Sequence, residues 1–190
     1  MDKGLKTAVI TGASQGIGEA AALLFIERGW QVITCARSAA LSCSSSDRWL
    51  VHIETDLSIS EGVVAFTEQV LDILGDRPLH TLVNNAGVSP KSINQERQGC
   101  LNGDIDAWRD VFELNFYAPL KLGRGFASAL AKGRGSIVNV TSIAGHKIHP
   151  FAGSAYSASK AALSALTREM ANEFAALNVR VNAVAPGEIS

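Results

Sequence analysis

Cysteine is scarce and carries no pattern. Cys35, Cys43 and Cys100 form no CxxC pair and no metal-ligand spacing, so neither a disulfide framework nor a metal site is expected. The three read as buried or incidental thiols of a reducing cytoplasm. Long apolar runs are missing as well. The longest, Ala20 to Ile26, is far too short to span a bilayer. Neither sign of charge dominates: 17 basic and 18 acidic side chains leave a formal net charge of -1, which gives no reason to expect nucleic acid or an anionic membrane as partner. No signal peptide is expected, because the first strand candidate begins within a few residues of Met1. There is no internal repeat and no domain linker. The chain has 190 residues, 47% of them hydrophobic, which is enough for one domain with a substantial core.

What is present is an alternation of strands and helices. Leu5–Thr11, Gln31–Ala36, Leu50–Glu54, Leu79–Asn84, Ser136–Val140 and Val179–Val184 are short apolar runs and read as six strands. Between them, 16–28 repeats apolar residues at helical spacing and stops at Gly29, a C-cap signal. The stretch 60–74 is a helix ended by Gly75 and Pro78. Residues 104–132 read as one long helical region, and 155–177 as an Ala- and Ser-rich helix. The Ser-rich 39–47 is expected to be loop or a short irregular helix. Strands apolar throughout and separated by helices argue an α/β protein, a parallel sheet covered on both faces in three layers. The segment 89–103 is polar and longer than a usual connection, either a surface loop or a wall of a substrate site.

The first loop carries chemistry. Gly12, Gly16 and Gly18, with Ser14, Gln15 and Ile17 between them, follow a strand and open a helix. Gly12 permits the tight turn, Gly16 lets backbone approach a pyrophosphate, and Gly18 lets the helix pack close to the sheet. The amides of the helix N-terminus and its dipole favour a diphosphate. This points to dinucleotide binding. At the end of the second strand there is no carboxylate to bond an adenosine 2′-hydroxyl and repel a 2′-phosphate. Arg37 stands there instead, a residue suited to pair with that phosphate, and NADPH is expected over NADH. Asp56 and Leu57, just past the third strand, either contact the adenine or, for Asp56, cap the following turn. Asn85, Ala86 and Gly87 place small residues where backbone must approach the cofactor.

The second set lies further on. Tyr156 and Lys160 are four residues apart on a helix and therefore face the same side. Ser142 ends the fifth strand, at the carboxyl edge of the sheet where open α/β proteins bind ligands. Asn115 falls inside the long helical region, where an amide is disfavoured by propensity. Thr11-Gly-x-x-x-Gly-Ile-Gly18, Asn84-Asn-Ala-Gly87, Asn115, Ser142, Tyr156-x-x-x-Lys160 and Pro186-Gly187 stand in the order of the short-chain dehydrogenase/reductase family, which the chain resembles over essentially its whole length. The resemblance implies a Rossmann-type doubly wound sheet and a carbonyl/alcohol oxidoreductase. In it Tyr156 looks like the general acid/base and Lys160 the residue that supplies positive charge and bonds the nicotinamide ribose. Ser142 resembles the donor that polarises the carbonyl, and Asn115 the residue that holds a water behind the lysine. Pro186, Gly187 and Ile189 resemble the stretch facing the carboxamide. A free phenol has a pKa of about 10, so acid–base work near neutrality needs a nearby positive charge such as Lys160. His146 and His149 read as loop histidines. Ile143, Ile148, Phe151 and the 89–103 segment are candidate pocket walls.

The expectation is a cytoplasmic, NADPH-preferring enzyme interconverting a ketone or aldehyde and an alcohol, with NAD(H) possible. It would be a homodimer or homotetramer by resemblance, with a small-molecule substrate and neither nucleic acid nor membrane as partner. The alternatives are a 3-oxoacyl thioester reductase, an NAD-dependent polyol or sugar dehydrogenase, and a non-catalytic NADP-binding regulatory protein. Residues 1–190 are expected to be a single dinucleotide-binding and catalytic domain. Because the chain stops just after its sixth strand, it is further expected to be an incomplete copy of a longer enzyme, lacking a C-terminal strand and helices.

Overall fold

The strand order is β3-β2-β1-β4-β5-β6 and every pairing is parallel, the doubly wound arrangement of a Rossmann-type sheet. The computed structural model describes residues 4–39, 46–91 and 97–188. In chain order the elements are β1 (Thr7–Thr11), α1 (Gly16–Glu27), β2 (Gln31–Ala36), β3 (Trp49–Glu54), α2 (Ser60–Leu74), β4 (Thr81–Asn84), α3 (Ile105–Phe112), α4 (Ala118–Gly125), α5 (Ala127–Gly133), β5 (Ser136–Val140), α6 (Ser154–Ala175) and β6 (Arg180–Val184). A π-helical turn, Glu113–Tyr117, joins α3 to α4, and a short 3-10 turn, Ile143–Gly145, follows β5.

The period of two along each strand sorts the core into two sides. Ala8, Ile10, Val32 and Val83 pack with Ala22 of α1, while Val9, Ile33, Leu82 and Ile137 pack with α2, α4, α5 and α6. β1 is buried at every residue because helices cover both its faces. The larger side is organised around Phe66 and Phe126, both fully buried, whose rings meet edge to face at 6.3 Å. Burying one such ring stabilises by about 1.5–3 kcal/mol, and an aromatic pair adds about 1 kcal/mol.

Some expectations change. β1 starts at Thr7, and Leu5 is exposed rather than paired. The expected long helix over 104–132 is broken twice, at the π turn and at Phe126. Pro119 accounts for the first break: it has no N–H to return to the Asn115 carbonyl four residues earlier, so the α-helical ladder cannot run through. The Ser-rich segment is described only at 39 and 46–47; residues 40–45, Cys43 among them, lie outside the described residues. The strand order reverses between β1 and β4, which opens a crevice beyond their carboxyl ends.

Candidate functional site

The glycine loop is built against the β4 end. Thr11 Oγ1, buried at the end of β1, accepts the N–H groups of Asn85 and Ala86, each at 3.0 Å. The Asn85 amide returns hydrogen bonds to the carbonyls of Thr11 at 3.0 Å and Gly12 at 2.9 Å. The loop thus leaves almost no room. A Cβ on Gly12 would stand 2.8 Å from Ala86 Cα, and one on Gly18 would run into the Gly12 carbonyl and the Asn85 amide. Gly16 is different. Its φ is +62° and nothing lies within 4 Å of where a Cβ would be, so it is glycine for its backbone and faces open space. Gln15 caps α1 in extended backbone with no side-chain hydrogen bond, which leaves the first amides of the helix unclaimed by a side chain. These features fit a diphosphate.

Gly12, Ser14, Gln15, Gly16, Arg37, Asp56, Leu57, Asn85, Ala86 and Gly87 line one groove of about 670 Å³. Arg37 is exposed at its rim. Asp56 caps the following turn and also lines the groove. Its Oδ1 accepts the Ser58 hydroxyl at 2.7 Å and the Ser58 N–H at 2.9 Å. The Ser58 hydroxyl, then the Ser58 amide, and to a smaller extent the Arg37 charge hold this carboxyl below its ordinary range.

A second cavity of about 240 Å³ adjoins the groove and shares Asn85 and Gly87 with it. Ile17, Ser142, Tyr156, Lys160, Pro186 and Gly187 line it, so Ile17 turns out to face this side rather than the groove. Ile189 lies outside the described residues. Lys160 is 3% exposed and donates to the Val140 carbonyl at 2.7 Å, with its Nζ 5.7 Å from the centre of the Tyr156 ring. Ser142 Oγ accepts the Ala144 N–H at 3.1 Å, which leaves its own O–H free to donate. Asn115 is fully buried. Its Oδ1 accepts the Val88 N–H at 2.8 Å, and its Nδ2 donates to the Val88 carbonyl and to Ser159 Oγ, both at 3.0 Å. Three of the four hydrogen-bonding sites of this side chain are engaged, and they tie the turn after β4 to α6.

Sequence reasoning missed Ser159. Its hydroxyl accepts from Asn115 and donates to the Tyr156 carbonyl at 2.8 Å, so it links the two. The signal available was its place, one residue before Lys160 and three after Tyr156, on the inner helix face. It gave Thr11 no role beyond opening the glycine motif, and it missed Thr55 and Ser38, which line the groove. His146 and His149 stand aside from the cavity: His146 approaches Ser164 Oγ at 3.5 Å, and His149 pairs with Glu188 at 3.3 Å. Ile143, Ile148 and Phe151 are exposed.

Burial pushes the Lys160 ammonium down from 10.5 to about 8, and the Cys35 thiol up from 9.0 to about 12. At Lys160 the unfolded chain binds more protons between these two values, so its contribution to stability is full above 10.5 and is lost as pH falls through 8. At Cys35 the folded state binds more, so stability falls as pH rises from 9.0 to 12. Between pH 8 and 9.0 Lys160 acts alone. The cofactor-free protein is expected to gain about 1 kcal/mol across that interval and then level off. Urea unfolding through this range should show the rise in the parent and not in Lys160→Met; a fall in the parent there would remove the buried-ammonium penalty.

Residues 6–190 match the family described as short chain dehydrogenase. The chain belongs to the short chain dehydrogenase family. Among curated relatives, Protein FixR of Bradyrhizobium diazoefficiens is 47% identical over 190 residues, which cover 97% of this chain and 67% of that protein. A Brucella ovis oxidoreductase of the short chain dehydrogenase/reductase family, solved in complex with a partially ordered NAD, superposes with a TM-score of 0.89 at 48% identity, covering 98% of this chain and 85% of that one. A metagenomic short-chain oxidoreductase solved in complex with NADP gives a TM-score of 0.83 at 34% identity, covering 97% and 83%. A nicotinamide dinucleotide is therefore the family's cofactor class, and this short chain dehydrogenase has the groove to hold one. No helix among the described residues is long and apolar enough to cross a membrane.

Proposed function

We propose that the protein is an NADPH-preferring oxidoreductase that interconverts a ketone or aldehyde and an alcohol. One observation carries this reading: the Tyr156 phenol, the Ser142 hydroxyl and the Lys160 ammonium line one cavity that is continuous, through Asn85 and Gly87, with the groove of the glycine loop. Gly12, Ser14, Gln15, Gly16, Gly18, Ala86 and Gly87 would hold the dinucleotide's backbone, with Pro186 and Gly187 at its nicotinamide end. When bound, a reduced nicotinamide cofactor would supply the hydride for the carbonyl carbon. The chain's own work is to place and protonate the oxygen. Ser142 donates its free O–H to that oxygen, an oxyanion-type contact, and Tyr156 delivers the proton that completes the alcohol. Lys160, buried beside the Tyr156 ring, provides the positive charge that favours phenolate once the proton has left. Asn115 and Ser159 keep α6 in register with the turn after β4. In the alcohol-to-carbonyl direction the same residues act in reverse. The reading carries with it a cytoplasmic homodimer or homotetramer acting on small molecules as a single catalytic unit. Consumption of NADPH with a panel of ketones and aldehydes tests it, and a pure, folded protein that binds NADPH but reduces none of them would favour the regulatory alternative.

Arg37 is the basis for preferring NADPH, while the NAD bound by the Brucella ovis relative motivates the opposite reading. Arg37→Asp removes a charge-assisted pair with a 2′-phosphate and adds repulsion. The kcat/KM for NADPH is expected to fall about 10- to 100-fold relative to that for NADH. An unmoved ratio would leave the 2′-phosphate without its proposed partner.

A further inference from the structure

The first turn of α6 carries Tyr156, yet it has no side chain of its own to cap it. Its N-cap is Gly153, in extended backbone, with no side-chain hydrogen bond. The N–H of Ser154 donates instead to the carbonyl of Gln98 at 2.9 Å. Next to Gln98, the Arg97 guanidinium reaches both sides of the same N-cap, with Nε donating to the Ala152 carbonyl at 2.7 Å and Nη2 to Ser154 Oγ at 3.4 Å. The fit is close. Gly153 is buried, and a Cβ there would press on the Gln98 carbonyl at 3.2 Å. Ala152 is also buried, so without Arg97 its carbonyl would lose a charged donor in a place water reaches poorly. Arg97 is itself held by an antiparallel bridge to Lys91.

The phenol depends on this arrangement more than its neighbours do. Among the described residues no hydrogen bond holds the Tyr156 oxygen, and the Lys160 ammonium lies over its ring. Its position is inherited from the backbone of the first helical turn, the part of a helix most prone to fray. Ser159, Lys160 and Leu163 further along are buried and anchored, so a loosened entry would move Tyr156 while leaving them in place.

We propose that Arg97 is a positioning residue for Tyr156, clamping the entry of α6 from the segment between β4 and α3 so that the phenol meets the substrate oxygen. The proposal rests on the reading of Tyr156 as the proton donor. Arg97→Met keeps the length of the side chain and removes its donors, whereas Arg97→Lys keeps one donor for the Ala152 carbonyl. Displacing a reacting group by about 1 Å can cost about 100-fold, so Arg97→Met is expected to lower kcat by about 10- to 100-fold with NADPH affinity held within about twofold, and Arg97→Lys to recover much of the loss. Hydrogen exchange gives a readout that needs no turnover. Amides of 152–158 are expected to exchange about tenfold faster in Arg97→Met, with β1 and β4 unchanged. Unchanged exchange at 152–158 overturns the proposal. So does an unchanged kcat, or a loss of NADPH affinity as large as the loss of kcat. If the parent itself reduces no carbonyl, the proposed function fails, and the exchange measurement alone decides whether Arg97 clamps the helix entry.

Discussion

Tyr156→Phe is expected to bind NADPH as the parent does and to lose nearly all turnover. The ring keeps its packing on the α6 face and its contact with the Lys160 ammonium, so the cavity retains its shape. Only the hydroxyl goes, and no other described group in that cavity can replace it. Ser142 has a hydroxyl but one of ordinary alcohol acidity. Lys160 is turned to the Val140 carbonyl at 2.7 Å. A positioned acid contributes about 10²- to 10⁴-fold, and that is the expected loss in kcat. Cofactor titration beside steady-state rates separates binding from chemistry. Activity within about tenfold of the parent, equivalent to about 1.4 kcal/mol of barrier, would remove Tyr156 from the proton-transfer role.

Gly18→Ala is expected to damage the loop more than Gly16→Ala, although both replace a motif glycine by the smallest residue with a Cβ. At Gly18 the new methyl would collide with the Gly12 carbonyl and the Asn85 amide. Neither can yield, because the Asn85 amide is already bonded to the Thr11 and Gly12 carbonyls at 3.0 and 2.9 Å. Relief requires α1 to move away from the sheet, which also moves the amides proposed to hold the diphosphate. At Gly16 the methyl meets nothing, and the penalty is the left-handed backbone at φ +62°, about 1–2 kcal/mol. Overpacking of a rigid site costs about 1–3 kcal/mol or more. At about 2–4 °C per kcal/mol for a domain of this size, Gly18→Ala should lower the unfolding midpoint by several degrees and abolish NADPH binding. Equal midpoints and equal affinities for the two variants would show that the close approach of α1 is not what the third glycine serves.

The two glycines also show where sequence reading reaches its limit. That each was needed follows from a strand, a glycine spacing and a helix in succession. That Gly18 serves close packing was also legible, but not that Asn85 joins the Gly12 carbonyl as what it packs against, since only the parallel pairing of β1 with β4 brings Asn85 near. The same division holds along the site. The alternation of apolar runs read directly as a covered parallel sheet, and the bounds of α2 and β5 emerge as the local signals place them, at Ser60–Leu74 and Ser136–Val140. Both elements have a period and end signals contained within themselves. The region 104–132 reads as one helix by periodicity. It is broken at the π turn, where Pro119 acts backward along the chain, and again at Phe126.

Local chemistry alone determined that Tyr156 and Lys160 share a face, because four residues make about one helical turn. It determined that Ser142 stands at a strand end and that Arg37 occupies a position without an acid. Tertiary structure decided the rest. It buried Lys160 to 3% exposure against a carbonyl twenty residues away, tied the side chain of Asn115 to Val88 and Ser159, and set Arg97 against the entry of α6. The physical reason is common to all three. Periodicity and backbone preference act between near neighbours and are written in any short window, whereas burial and hydrogen-bond satisfaction depend on which distant segments the parallel sheet brings together.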